Sequence, residues 1–425
     1  MPMSQDFQSR LFPRLPEIIT YFGTPFHIFD EQGIIDNGAR LKADFSPVHG
    51  FREFFAVKAL PNEAILKLMK KMGFGLDCSS PSELMLARRN GVRGEDIMFS
   101  SNNTAADTFR LALADGGCIL NIDDISMVDK INPFPELICF RYNPGERRTG
   151  NQIIGIPVEA KYGLRHDQVI AAYKMAVERG AKRFGLHTMI VSNERNYAYM
   201  VETVRMLLDI MGMVTKELGL KFDFFNIGGG VGIPYRPEHE TFDIPALAKG
   251  AKVLIDAFEK QYGYLPKLFL ESGRYITGPH GALVARVINR MSKYREYVGV
   301  DASTMSANPR PAIYESAYHA ITILDPQGNP RMAKAEVVDV VGPLCENSDK
   351  FAKQRSLPKA QVGDIMVQHD TGAHSPAMEG NYNGWLRPQE LLLHADGSVE
   401  LIRRAENYDD LFATLKFEKK VLKQK

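Results

Sequence analysis

Phe54-Phe55-Ala56-Val57-Lys58-Ala59-Leu60 is an apolar run broken by a single ammonium group. Short, continuously apolar segments of this kind suit strands buried on both faces, as in parallel sheets. Read as Glu53–Ala59, it is the first of eight such runs. The others are Gly75–Ser79, Asp96–Ser100, Cys118–Ile122, Ile138–Tyr142, Arg183–His187, Phe222–Ile227 and Leu268–Glu271. Between most of them lie segments with helical spacing. Ala64–Met72 places Ile65, Leu68 and Met69 on one face, and Asn193–Leu218 carries Met200, Val204, Leu207 and Leu208 as one stripe. Ser80-Pro81-Ser82-Glu83 predicts a helix start, with Ser80 as cap, Pro81 in the first helical position and Glu83 closing a capping box.

Eight strand–helix units in a row predict an α/β fold, a (β/α)8 TIM-type barrel over residues 36–275. A doubly wound open sheet shares this periodicity and is the rival architecture. Beyond residue 280 the texture changes to short β-like runs, Leu283–Ile288, Glu336–Val341, Asp364–Val367 and Glu390–Leu393, with Gly and Pro between them. Residues 276–425 therefore read as a mainly β domain, sandwich-like or barrel-like. Residues 1–35 contribute to it through the run Phe26–Phe29.

The 425 residues are 44% hydrophobic and 24% charged, ordinary values for a globular chain of two domains. Lys plus Arg number 52 against 51 Asp plus Glu, which advertises no nucleic-acid or membrane surface. No stretch of about 18 apolar residues is present to span a bilayer, and the expected location is the cytoplasm. Cys78, Cys118, Cys139 and Cys345 match no zinc spacing and no disulfide framework, and no metal site is expected.

The chemistry concentrates at strand ends, where a barrel places its active site. Lys58 is expected to be a buried amine whose pKa falls, as Schiff-base formation requires; a lysine snorkelling to solvent is the plainer reading. Asn226-Ile227-Gly228-Gly229-Gly230-Val231-Gly232 follows the seventh run, where barrels often bind phosphate, though a tight turn explains the glycines too. Leu270-Glu271-Ser272-Gly273-Arg274 ends the eighth run, and its carboxylate needs a partner: either a pyridinium nitrogen or Arg274. His187 ends the sixth run, as a ring-stacking imidazole or a satisfied core histidine. Cys345-Glu346-Asn347-Ser348-Asp349 sets a thiol beside two carboxylates, and a small buried cysteine in a turn accounts for it as well.

Taken in order, these motifs resemble the fold-type III pyridoxal 5′-phosphate (PLP) decarboxylases, most closely the diaminopimelate decarboxylase family. The resemblance runs from about residue 24 to 415. Phe55–Ala59 resembles the family's cofactor-lysine strand, and Gly75-Leu76-Asp77-Cys78-Ser79 with Glu83-Leu84 its second-strand signature. Arg141-Tyr142-Asn143-Pro144-Gly145, Lys161-Tyr162-Gly163, Arg310-Pro311-Ala312-Ile313-Tyr314, Gly342–Asp349 and Tyr382-Asn383 continue the set.

The resemblance implies that Lys58 bonds PLP covalently. It implies that Gly228, Gly229, Gly230 and Gly273 face the phosphate, that Glu271 pairs with the pyridine nitrogen, and that His187 packs on the ring. Asp77 and Tyr382 complete the cofactor contacts. Arg274, Arg310 and Tyr314 would grip the substrate's far carboxylate, Glu346 its far amine, and Cys345 would work near the reacting carbon. His374 would lie near the substrate or the phosphate. In that family Cys345 and Glu346 would come from a partner subunit, so a homodimer with shared active sites is expected. The expected reaction converts meso-2,6-diaminopimelate to L-lysine and CO2.

Three departures qualify this. The family's Glu-Pro-Gly-Arg has Ser272 in place of proline. The usual Gly-Ser after the histidine is replaced by Thr188-Met189-Ile190, leaving Ser192 as the candidate phosphate hydroxyl. The usual Gly-Ala-Tyr is Gly372-Ala373-His374, which puts a group titrating near neutrality where a phenol belongs. Decarboxylation of another basic amino acid or of a carboxylated polyamine stays open, as does a non-catalytic regulatory homologue. Glu271 argues against a racemase, which would set an arginine on the pyridine nitrogen.

Overall fold

The computed structural model describes residues 3–151, 153, 155–418 and 420–422. Its strands are β1 (Phe26–Asp30), β2 (Arg52–Ala56), β3 (Gly75–Cys78), β4 (Gly94–Ser100), β5 (Cys118–Ile122), β6 (Leu137–Arg141), β7 (Arg183–His187), β8 (Phe224–Asn226) and β9 (Lys267–Leu270). They continue with β10 (Gly281–Ser292), β11 (Glu296–Val300), β12 (Ile321–Leu324), β13 (Ala335–Val341), β14 (Lys350–Pro358), β15 (Ile365–Gln368), β16 (Gln389–Leu393) and β17 (Val399–Arg403). The chain divides into two units, Gln32–Gly278 and Met1–Glu31 with Pro279–Lys425.

In the first unit β2 to β9 form a closed parallel barrel in chain order. Closure is made by β2 against β9, with Arg52 opposite Phe269 and Glu53 opposite Leu270, and it rules out the open sheet. Phe54, Met98, Ile119, Leu137, Cys139, Phe224 and Phe269 fill part of the interior as one apolar cluster, with the Phe224 and Phe269 rings stacked at 4.3 Å. Polar interior residues gather toward the strands' C-terminal ends: Asp77, Asn121, His187, Asn226 and Glu271 are all buried.

Local signals largely place the helices. Ile65, Leu66, Leu68 and Met69 are the buried residues of helix Glu63–Lys71. The long helix begins at Tyr197, later than the stripe suggests, because Asn196 caps it by accepting the Ala198 N–H; Gly219 ends it at φ +69°. Ser80 Oγ accepts the Glu83 N–H as expected. The Glu83 carboxylate, however, takes the N–H of Ser79 at 2.6 Å, one residue before the cap. The predicted box is thus shifted by one residue.

The second unit is a mainly β body. Its main path runs β14-β13-β11-β10-β1-β16-β17, and β15 pairs with β10 and β12. β1 pairs antiparallel with β10 and parallel with β16. β10 alternates: Ala282 and Val284 join a cluster with Phe7, Leu11, Phe26 and Ile28, whereas Leu283, Ala285 and Val287 join Val298, Val340 and Met366. A period of two thus feeds two cores from one strand. No helix among the described residues is long and apolar enough to cross a membrane.

Candidate active site

β2 ends at Ala56, and Lys58 follows in a 3-10 turn, Val57–Ala59. Val57 and Ala59 are buried, whereas Lys58 is exposed. The expectation of a buried ammonium is corrected: Lys58 lies past the strand end, in a turn that leaves it exposed.

Glu271 follows β9 and is held by three neighbours. His187 Nε2 lies 3.3 Å from Glu271 Oε2, and both residues are buried. Asn226 Nδ2 donates to Glu271 Oε1 at 2.7 Å. Burial alone would raise the Glu271 pKa, but His187, Lys58 and the two hydrogen bonds prevail and hold its carboxyl below the usual range. Asp77 goes the other way: burial, then the charge of Glu271, push it well up despite Lys58. Of these two carboxyls, Glu271 carries the negative charge.

Asn226 does a second task. Its Oδ1 accepts the Gly228 N–H at 2.8 Å, fixing the glycine loop to the same side chain that holds Glu271. The loop needs its glycines. Gly228 and Gly230 have φ of +71° and +95°, and a Cβ on Gly230 would lie 2.5 Å from the Val191 carbonyl oxygen. Among the described residues the Gly229 and Gly230 N–H groups take no hydrogen bond. The Gly273 N–H reaches the Glu271 carbonyl at 3.2 Å.

The hydroxyls near this loop are differently employed. Thr188 Oγ1 donates to the Tyr142 carbonyl at 2.9 Å. Ser192 Oγ sits 3.4 Å from Arg274 Nη2, while Arg274 Nη1 donates to Tyr235 Oη at 2.6 Å. Met189 and Ile190 line a small recess with Tyr142, Ile156, Pro157 and Tyr162. An apolar recess therefore stands beside the residues that replace the family's Gly-Ser.

These residues suit PLP. Asp77 Oδ1, Ser79 Oγ, Asn121 Oδ1 and His187 Nδ1 are buried polar atoms with no protein partner, at or near the C-terminal ends of β3, β5 and β7. Such atoms call for a polar ligand. An ionised carboxylate, a flat imidazole, an exposed primary amine and free loop N–H groups match a pyridinium, a ring face, an aldehyde and a phosphate in turn.

In the second unit the remaining candidates fall into two groups. The Arg310 guanidinium carbon lies 5.7 Å from the Tyr314 ring centre. Cys345 is exposed, not a small buried cysteine, and Asn383 Nδ2 lies 2.8 Å from its sulfur. Glu346 is exposed beside it, and Tyr382 is half exposed. Asp349 is no partner for the thiol. It is buried and pins the loop, accepting the Thr304 N–H and hydroxyl at 2.6 and 2.8 Å and the Leu344 N–H at 2.9 Å. His374 holds φ +59° in the stretch after β15. Asn226 has no role in the sequence reading, although a polar residue ending an apolar strand is a signal for one; Asp349, read there as a carboxylate beside the thiol, anchors the loop instead.

The sequence model of the family described as "Pyridoxal-dependent decarboxylase, pyridoxal binding domain" matches residues 34–278. The chain is 46% identical to "Protein TabA" of Pseudomonas amygdali pv. tabaci over 96% of this chain and 95% of that protein. It is 34% identical to the diaminopimelate decarboxylase of Methanothermobacter thermautotrophicus over 93% and 92%. The crystal structure of diaminopimelate decarboxylase from M. jannaschii in complex with L-lysine superposes with a TM-score of 0.85 at 30% identity, covering 94% of each chain. The chain belongs to the pyridoxal-dependent decarboxylases, and its cofactor is PLP.

Proposed function

We propose that the chain decarboxylates an amino acid bearing a second amino-acid head at its far end, with meso-2,6-diaminopimelate as substrate and L-lysine and CO2 as products. The observation that carries this is Glu271, a buried carboxylate kept ionised by His187 and Asn226 near Lys58. When bound, the cofactor's protonated ring supplies the electron sink that makes loss of CO2 possible.

Lys58 Nζ would hold the cofactor's aldehyde carbon and yield it to the substrate amine. Glu271 would keep a proton on the ring nitrogen, and His187 would turn its face to the ring. Asp77 and Tyr382 would add cofactor contacts, and Gly228, Gly229, Gly230 and Gly273 would line the phosphate. Arg274, Arg310 and Tyr314 are assigned to the far carboxylate, Glu346 to the far amine, and Cys345 to the reacting carbon. Cys345 and Glu346 would act in a partner's site, making the working unit a homodimer. In Lys58→Ala the cofactor's bound absorbance band and turnover should both vanish; retention of both would overturn the assignment.

A second reading keeps the chemistry and changes the substrate. It is supported by the 46% identity to a protein with another name, by His374, and by the apolar recess at Met189 and Ile190. Here the substrate is a different basic or dipolar amino acid, and kcat/KM on diaminopimelate, lysine, ornithine and arginine separates the readings.

A further inference from the structure

Ser272 brings a backbone N–H to a turn where a proline would bring none. That N–H is buried, since Ser272 is 1% exposed, and a buried donor must find an acceptor. It finds Glu53 Oε1, on a side chain that is itself only 2% exposed. The two residues lie 219 positions apart, across the seam where β2 and β9 close the barrel. Glu53 is an expensive acceptor: burial pushes its carboxyl pKa well up, and its Oε2 has no protein partner.

The geometry on either side gives the contact a purpose. Glu53 lies on β2, and Lys58 comes two residues after that strand ends, inside the turn Val57–Ala59. Ser272 separates Glu271 from Gly273. A Cβ on Gly273 would stand 2.6 Å from the Ala59 side chain, so the turn after β9 is seated directly on the turn that bears Lys58. We propose that Glu53 is a positioning residue: by accepting the Ser272 N–H it locks the turn carrying Glu271 to the strand that leads into the Lys58 turn, doing through a hydrogen bond what a proline ring would do at position 272. This rests on the reading of Lys58 and Glu271 as the two ends of the cofactor site. Ser272 has φ −89°, near the range a proline ring imposes, so the swap is geometrically open.

The test is a double-mutant cycle in the full chain with Glu53→Leu, Ser272→Pro and both together, plus Glu53→Gln. The readouts are the PLP Kd from absorbance titration, the pH titration of the bound cofactor's spectrum, and Tm without PLP. Glu53→Leu leaves a buried N–H unpaired, and Ser272→Pro leaves the Glu53 carboxyl unpaired. Each is expected to weaken PLP binding by about tenfold and to shift the spectral pH titration. The double variant should return to within about threefold of the parent, and Glu53→Gln, which keeps an acceptor oxygen, should stay there as well. Additive losses in the double variant, or a Gln variant as damaged as Leu, would overturn the lock. If Glu53→Leu does not fold, folding of the double variant supports the lock and its failure to fold overturns it. Should the parent chain bind no PLP, the earlier reading fails, and the cofactor-free Tm cycle still decides this one.

Discussion

Asn226 holds Glu271 and the glycine loop with one side chain: its Nδ2 donates to Glu271 Oε1 at 2.7 Å while its Oδ1 accepts the Gly228 N–H at 2.8 Å. The charge proposed for a pyridine nitrogen and the loop proposed for a phosphate are thereby set at a fixed separation, as a rigid cofactor requires.

Removing that amide should loosen both ends. Asn226→Ala leaves a buried carboxylate short of one donor and a buried N–H short of its acceptor, a loss of about 1–3 kcal/mol for each group. The PLP Kd should rise by at least about tenfold, with kcat falling too. Absorbance titration and steady-state kinetics check this.

Gly230→Ala should be worse than an ordinary glycine substitution. It combines a φ of +95° with a Cβ placed 2.5 Å from the Val191 carbonyl oxygen. The backbone penalty alone is about 1–2 kcal/mol, and the clash adds to it. PLP affinity and Tm should both drop, whereas Gly180→Ala, where an added Cβ meets nothing within 4 Å, tests the φ cost by itself.

The second unit should respond to acid through His27. Its Nε2 lies 2.8 Å from Glu379 Oε1, and burial pushes the imidazole pKa down to about 3. Glu379 is pushed well up by burial and by Glu390, opposed by Arg387 and Arg403. With a folded pKa below the unfolded one, between about pH 6.5 and 3 the unfolded chain binds a proton that the native imidazole refuses. This share of stability is present above pH 6.5 and is lost as pH falls through that window. His27→Gln should show a smaller fall in Tm from pH 7 to 4 than the parent chain.

Asp349 should control the loop that bears Cys345. Its carboxylate takes three hydrogen bonds, two of them from backbone N–H groups that have no other partner among the described residues. Asp349→Ala should lower stability by about 2–4 kcal/mol and reduce turnover, while PLP affinity stays within about threefold because the barrel is untouched. Denaturant melts alongside a PLP titration separate the two effects.

The barrel was readable because parallel strands buried on both faces appear as unbroken apolar runs. Where the same composition continued past the strand it misled: Val57–Ala59 is apolar yet turns, and that turn exposes Lys58. In the β unit, Lys350–Pro358 and Val399–Arg403 left no apolar run to find, since most of their side chains are not buried. At the site, residue types at strand ends were legible and their pairings were not. His187 meets Glu271 across 84 residues, a contact made over the intervening β8, and Glu53 meets Ser272 across 219, a contact only barrel closure creates.

The most direct test of the proposed activity is CO2 release from meso-2,6-diaminopimelate by the PLP-loaded chain, run beside ornithine, lysine and arginine and beside Lys58→Ala. The account predicts release of one CO2 per L-lysine formed, with the highest kcat/KM on diaminopimelate and none in Lys58→Ala. No release from diaminopimelate by a chain that binds PLP, or a higher kcat/KM on another amino acid, would contradict it.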